Sequence, residues 1–278
     1  PRFHLPFHRV LGGFVVRIEE WVPCVAFAIH DGHRLRRAMA DRCLLSERDR
    51  FYEEDLMTGL MIADMPIAIT ALDSRYEYDL NRHPDHCVYE VAWGKNVWSP
   101  PPTRAQIRAS VDKHMRFYAF MEELLAALVQ RFGYCVVYDI HSYNYKRVEN
   151  ECSVFNIGTE YIDMRTWEGD VATYAQGLAE IPVDDVGETV CINGVFKGKG
   201  YFANWSSGFP GRVLNLPTEI KKFYMDEDQA AVYADRVRQL RQGLTYCMIR
   251  HARSMFPCWG RGPNPFNTPF GSRVAAVA

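Results

Sequence analysis

One stretch, Gly133-Tyr134-Cys135-Val136-Val137-Tyr138-Asp139-Ile140-His141-Ser142-Tyr143-Asn144, constrains this chain more than any other. It opens on a turn glycine and runs through apolar, β-branched and aromatic residues. It reaches Asp139 and His141 just as the apolar run ends. The run is too short and too evenly apolar for an amphipathic helix, so a strand buried on both faces is predicted. Such strands belong to parallel sheets covered by helices, and ligands bind beyond their carboxyl ends. Side chains two residues apart point the same way, which puts Asp139 and His141 on one face. A carboxylate and an imidazole there suit a metal or an acid–base pair. The plainer reading is a core histidine hydrogen-bonded at a strand end.

Earlier segments repeat the pattern. Phe14–Ile18 reads as an edge strand, after an aromatic, His-flecked start that Gly12-Gly13 interrupts. Cys24–Ile29 is a second buried run, and it ends in His30-Asp31-Gly32-His33, two histidines around a tight turn. Arg34–Ala40 favours helix. Ser46–Asp55 reads as another helix, with Ser46 as N-cap. Its acidic end, Glu53-Glu54-Asp55, is either a solvated face or the source of a carboxylate that completes a His, carboxylate, His metal set. Ile67–Leu72 is a third strand and feeds Arg75 and Arg82, whose guanidinium forks suit a substrate carboxylate or surface pairs with Glu77 and Asp79. Trp93 and Trp98 lie in a loop that ends in a proline run.

Thr103–Phe132 is predicted as a long amphipathic helix stopped by Gly133. Helices between buried strands are the alternation of an α/β sheet. Beyond the opening stretch, residues 143–158 read as loop, Trp167–Leu178 as helix and Glu188–Ile192 as strand. The glycine-rich run 193–201 lacks the spacing of a phosphate loop. Val213–Ile220 is a late strand that places Glu219 near its end. Asp226–Arg250 is a last helix capped by Asp226, and a Pro/Gly-rich tail follows from about residue 257. No repeat or linker divides the chain, so residues 1–278 are expected to form one domain.

Composition excludes several classes. Hydrophobic residues are 48% and charged residues 24%, with a formal net charge of -2. That is ordinary for a globular protein and leaves no basic footprint for nucleic acid. No apolar run is long enough for a membrane span. The first residues lack the charged head and apolar core of a secretory signal. The eight cysteines are scattered without a CxxC pair, which suits reduced thiols and a cytoplasmic protein.

Taken together, Ile29-His30-Asp31-Gly32-His33, the acidic trio, Ser74-Arg75-Tyr76-Glu77-Tyr78-Asp79-Leu80-Asn81-Arg82, Asp139-Ile140-His141-Ser142, Asn193-Gly194-Val195-Phe196-Lys197-Gly198 and the Glu219 segment follow one another in a familiar order. In this the chain resembles the N-formylglutamate amidohydrolase family, within the wider group of zinc carboxypeptidase-like hydrolases. The resemblance spans residues from about 25 to 228 and rests most on the DLNR and D-x-H-S elements.

The resemblance implies a single α/β domain whose mixed, mostly parallel sheet is flanked by helices, a zinc carboxypeptidase or phosphorylase/hydrolase-like fold. It also implies one divalent metal, zinc, on His30, His141 and a carboxylate from the acidic trio, for which Asp55 is chosen over Glu53 and Glu54. Glu219 matches the general base. Arg82, with Arg75 and Asn81, would bind a small acidic N-acyl amino acid, N-formyl-L-glutamate giving formate and L-glutamate. The chain departs from the family pattern in reading Ile-His where Pro-His is usual. His33 is an extra histidine and a rival ligand. A related carboxypeptidase or peptidoglycan-type amidase on a longer substrate is the alternative, and a non-catalytic binding protein on the same fold is the third reading.

Overall fold

The computed structural model describes residues 6–148, 153–183, 189–257 and 259. In chain order the strands are β1 (Phe7–Leu11), β2 (Phe14–Ile18), β3 (Cys24–Ala28), β4 (Ile67–Ala71), the short hairpin β5 (Val91–Ala92) and β6 (Lys95–Asn96), β7 (Cys135–Tyr143), β8 (Phe155–Ile157), β9 (Val190–Ile192), β10 (Val213–Lys221), and a second short pair, β11 (Met225–Asp226) and β12 (Ala231–Val232). The helices are α1 (Arg37–Ala40), α2 (Glu47–Glu53), α3 (Thr58–Met61), α4 (Arg104–Phe132), α5 (Met164–Ala179), α6 (Tyr201–Ser206) and α7 (Ala234–Met255). No described helix is long and apolar enough to cross a membrane.

Eight strands form one sheet in the order β1-β2-β4-β3-β7-β10-β8-β9. Its centre, β4-β3-β7-β10, is parallel, and antiparallel pairs (β1 with β2, β2 with β4, β8 with β10) flank it. This is the mixed sheet that the family resemblance implies. Every residue of β7 is buried, as the apolar run requires. Its odd-numbered face lies under α4 and α6. Phe27, in register with Asp139, packs on Phe202, which in turn meets Phe117. The even face lies under α5 and α7, where the Tyr138 hydroxyl donates to the Met248 carbonyl.

The connectivity fixes where a ligand can bind. From β3 the chain passes to β4 on one side, and later returns to β7 on the other side of β3. Helical crossovers on both sides leave a crevice between the carboxyl ends of β3 and β7, the switch point at which α/β sheets bind ligands.

Local signals account for most element ends. Ser46 and Thr103 both form capping boxes, with Asp49 and Gln106 as the reciprocal partners. Gly133 ends α4 with φ of 88°, the left-handed region that glycine occupies without penalty. The sequence reading needs correction at four places. Phe7–Leu11 forms the true edge strand, outside β2; three of its five residues are exposed, so it carries no apolar alternation. The expected loop 143–158 contains β8, too short at three residues to show a period. The first helix starts at Arg37 rather than Arg34, because Arg34 bridges to Asp73. The last helix starts at Ala234; Asp226 instead sits in β11 and accepts from Asp228 and Gln229 N–H groups in a turn. Apart from Pro257 and Trp259, the tail lies outside the described residues.

Gly32 shows how tightly the crevice is built. A Cβ there would fall 2.2 Å from the Asp73 carbonyl oxygen and 2.6 Å from the Leu72 carbonyl carbon. The loop after β3 therefore lies directly on the end of β4, and His33 and Arg34 N–H groups both donate to the Leu72 carbonyl. Gly32→Ala should cost about 1–3 kcal/mol through forced overpacking against backbone. In a chain of this size that is a fall of several degrees in the thermal midpoint. An unchanged midpoint would show that the loop does not need this approach.

Candidate metal centre

His30 lies two residues beyond β3, and His141 projects from the odd face of β7. In the parallel register of β7 and β10, Glu219 is the partner of His141 and Pro217 that of Asp139. Partners in such a ladder share a face, so Glu219 stands beside His141. The two imidazole rings are 4.9 Å apart. Between them is the carboxylate of Asp55, with Oδ2 3.0 Å from His141 Nδ1 and 3.3 Å from His30 Nδ1. All three side chains are buried, and their ligand atoms lie within 4.8 Å of one another, a cluster capable of holding a divalent metal.

The opposite ring nitrogens face two other carboxylates. His30 Nε2 is 2.8 Å from Asp79 Oδ1, and His141 Nε2 is 3.0 Å from Asp139 Oδ1, the latter bent away from hydrogen-bond alignment. A carboxylate at Nε2 keeps the proton on that nitrogen and turns the Nδ1 lone pair toward Asp55. Two lone pairs then face one carboxylate oxygen in a buried site, which is repulsive unless cationic charge sits among them. Burial pushes the Asp55 carboxyl up, but the adjacent His141 and His30 outweigh it and hold the group well below the usual range. Burial lowers His141, yet Asp139, Asp55 and Glu219 together raise it well above an ordinary histidine. The donor set fits a divalent cation, which would take the place of the extra protons.

The neighbours of this cluster divide the sequence-predicted residues by role. Asp79 Oδ1 also accepts from the Asn81 N–H at 2.7 Å, and Oδ2 accepts from Arg75 Nε at 3.1 Å and Nη2 at 2.8 Å, and from the Tyr89 hydroxyl. Against the effect of burial, Arg75 and His30 keep Asp79 well below its ordinary value. Arg75 Nη1 donates to the Glu53 carbonyl at 2.9 Å. In this structure the Arg75 fork thus grips Asp79 and the turn before Asp55. The Asn81 amide oxygen accepts from the Phe202 N–H at the start of α6, and a Cβ on Gly200 would collide with Asn81. Arg82 is exposed, with its guanidinium 5.8 Å from the centre of the Tyr89 ring.

The acidic trio separates in the same way. Glu53 pairs bidentately with Arg147, at 2.7 and 2.9 Å. Glu54 accepts from His33 Nδ1 at 2.6 Å and from the Ser74 hydroxyl. His33, the rival ligand, is therefore held outside the cluster by Glu54. Helix α2 ends at Glu53, so the chain is already extended when it delivers Asp55. Three donors clamp this turn. Lys222 Nζ donates to the carbonyls of Tyr52 and Glu54, Asn144 to Tyr52, and the Tyr224 hydroxyl to Leu56. Sequence reasoning passed over Lys222 and the supporting role of Asp79. The i,i+4 spacing of Arg75 and Asp79 was a usable signal for the second, and nothing local pointed to the first.

Glu219 is only partly enclosed, at the lip of the cluster. Burial pushes its carboxyl up to about 7; His141 and His30 oppose this, and Asp55 and Asp139 add to it. A carboxyl in that range can both accept and return a proton near neutrality.

The crystal structure of N-formylglutamate amidohydrolase from Ralstonia eutropha JMP134 superposes with a TM-score of 0.74 at 19% identity, covering 88% of this chain and 98% of that one. A gene product of Agrobacterium tumefaciens superposes with a TM-score of 0.65 at 17% identity, covering 87% and 96%. At these identities the likeness establishes the α/β fold. The comparison with curated proteins gives no match. Residues 22–225, most of the sequence and all of the cluster described above, match the family described as N-formylglutamate amidohydrolase, and the chain belongs to that family.

Proposed function

We propose that this protein is a zinc-dependent amidohydrolase that cleaves the amide of a small acidic N-acyl amino acid, with N-formyl-L-glutamate as the reference substrate. The observation that carries this reading is the pair of Nδ1 atoms facing one Asp55 oxygen at 3.0 and 3.3 Å, with Glu219 beside them. His30, Asp55 and His141 would be the ligands. Three protein ligands leave a coordination position open, the arrangement of catalytic rather than structural zinc. A zinc ion there supplies Lewis acidity, polarising an amide carbonyl and acidifying water.

The remaining chemistry belongs to the chain. Glu219 takes a proton from the attacking water at a carboxylate oxygen and returns it to the departing amine nitrogen. Asp79 and Asp139 keep both imidazoles in one tautomer and orientation. Arg82 holds a substrate carboxylate through its planar fork and so aligns the scissile amide. A scaffold protein that had only kept the fold would have no use for a base aligned with the cluster. The direct test is formate release from N-formyl-L-glutamate by zinc-loaded protein, lost on chelation and restored by zinc. Absence of hydrolysis across formyl, acetyl and peptide amides would remove the reading.

The roles separate experimentally. Glu219→Gln keeps the shape but cannot accept the proton, so kcat should fall at least about a hundredfold while zinc content stays the same. Near-normal kcat with zinc bound would take the base role from Glu219. Asp139→Asn should weaken zinc binding by about 10–100-fold in competition with a chromophoric chelator; an unchanged affinity would mean that Asp139 does not support His141. Arg82→Lys retains charge without the fork and should lower kcat/KM for carboxylate-bearing substrates. Equal kcat/KM in the two proteins would remove Arg82 from substrate binding.

A further inference from the structure

The turn from Asp79 to Arg82 joins two parts of the site. Its first residue holds His30 Nε2 at 2.8 Å, and its last carries an exposed guanidinium beside the Tyr89 ring. The Arg82 N–H closes the turn on the Asp79 carbonyl at 3.2 Å. The next three carbonyls each take a donor from a helix outside it. Leu80 accepts from the Tyr118 hydroxyl, Asn81 from the Tyr201 N–H at 3.1 Å, and Arg82 from His114 Nε2 at 3.0 Å. His114 and Tyr118 stand four residues apart on α4 and so share a face. Their rings are 4.8 Å apart, and the Tyr201 ring packs on both, at 6.0 and 5.1 Å.

Satisfying a carbonyl does not by itself account for His114. Arg82 is exposed, and a carbonyl at the surface can be left to water. The imidazole that binds it is fully buried, and its Nδ1 has no hydrogen-bond partner among the described residues. A carbonyl only accepts, so the ring proton is on Nε2, and burial lowers the pKa of the group and keeps it neutral. A buried ring nitrogen without a partner is destabilising. A phenylalanine would fill the same space against Tyr118 and Tyr201 without that penalty. It would not hold the Arg82 backbone against α4.

We infer that His114 and Tyr118 are positioning residues for Arg82, fixing the turn so that the guanidinium stands at a set distance from the metal cluster. The inference rests on the amidohydrolase reading, in which Arg82 holds a substrate carboxylate, and adds the residues that aim it. Both act through the backbone of residues 80 and 82, not on the substrate. A planar fork meets a carboxylate through two parallel bonds and tolerates little displacement. The other end of the turn is tied to His30 through Asp79, so a shift at Arg82 changes the span between substrate carboxylate and scissile amide.

His114→Phe keeps the ring and removes the donor, while His114→Gln keeps an N–H that can reach the same carbonyl. In zinc-loaded protein, His114→Phe should raise KM for N-formyl-L-glutamate at least about tenfold, with kcat within about threefold and zinc affinity unchanged. His114→Gln should recover most of that loss. In the Arg82→Lys background His114→Phe should add less than about twofold, because the fork it aims is already gone. Tyr118→Phe removes the hydroxyl with little change of shape. It should show the same coupling, and it carries the test if His114→Phe does not fold. Calorimetric titration of zinc-loaded Glu219→Gln protein with N-formyl-L-glutamate reads the coupling without turnover. Coupled loss of binding in a protein that hydrolyses no amide would sink the amidohydrolase reading and leave the positioning role standing. Affinity unmoved by both substitutions, losses that multiply with that of Arg82→Lys, a loss that His114→Gln leaves in full, or no binding of the acid would each overturn it.

Discussion

The contact on which the site depends is the one between Asp55 and two imidazoles. Removing a carboxylate from water costs several kcal/mol even after the protein relaxes. Asp55 is 3% exposed, so it can stay ionised only where matched donors or a cation meet it. Nothing in its own segment provides these. The imidazoles that meet it come from residues 25 positions before it and 86 after it in sequence, brought together only when β3 and β7 pair. The site is thus a consequence of sheet formation, and the sheet encloses a group that is stable only with the site complete.

This dependence explains how the surroundings are arranged. The segment carrying Asp55 has no ladder of its own: α2 ends at Glu53, and Met57 takes φ of 74° to start α3. A bulky residue in that region is uncommon, so the turn needs external support. It receives this from side chains that follow β7 and β10, the strands that carry His141 and Glu219. Asn144, Lys222 and Tyr224 hold the carbonyls of residues 52, 54 and 56, which brackets Asp55 without touching its carboxylate. The same two strands therefore set the distance between Glu219 and the two histidines and the position of Asp55.

Much of this was legible in the sequence, for physical reasons specific to each part. A strand buried on both faces has to be apolar at both parities, so Cys135–Tyr138 announced β7 and Asp139 and His141 stood out at its end. The capping boxes at Ser46 and Thr103 are local hydrogen-bond patterns and located α2 and α4 closely. By contrast, β1 and β8 owe their existence to neighbouring strands rather than to their own composition, and neither shows a period. The choice of Asp55 over Glu53 and Glu54 came from family resemblance. Its physical reason lies in Arg147 and His33, which engage the two glutamates from elsewhere in the chain. Arg75 illustrates the limit of residue-type reasoning: a fork suited to a substrate carboxylate here holds Asp79 of the protein itself.

Formal charge around the cluster leads to the same conclusion as its geometry. The Glu53 and Glu54 carboxylates are matched by Arg147 and by His33 with Arg50. That leaves the carboxylates of Asp55, Asp79, Asp139 and Glu219, while the fixed cations among them are Arg75 and Lys222. Lys222 is fully buried, and desolvation lowers its amine to about 8, so it still carries its charge at neutral pH. With neutral imidazoles, the buried carboxylates and the Glu219 at their lip outnumber the two cations. Protonating both histidines would cancel that excess but would remove the Nδ1 lone pairs that face Asp55. A divalent cation cancels it and uses those lone pairs as ligands. The protein's own cations thus support the segment and the second carboxylate layer, and the central charge is one that a divalent cation would supply.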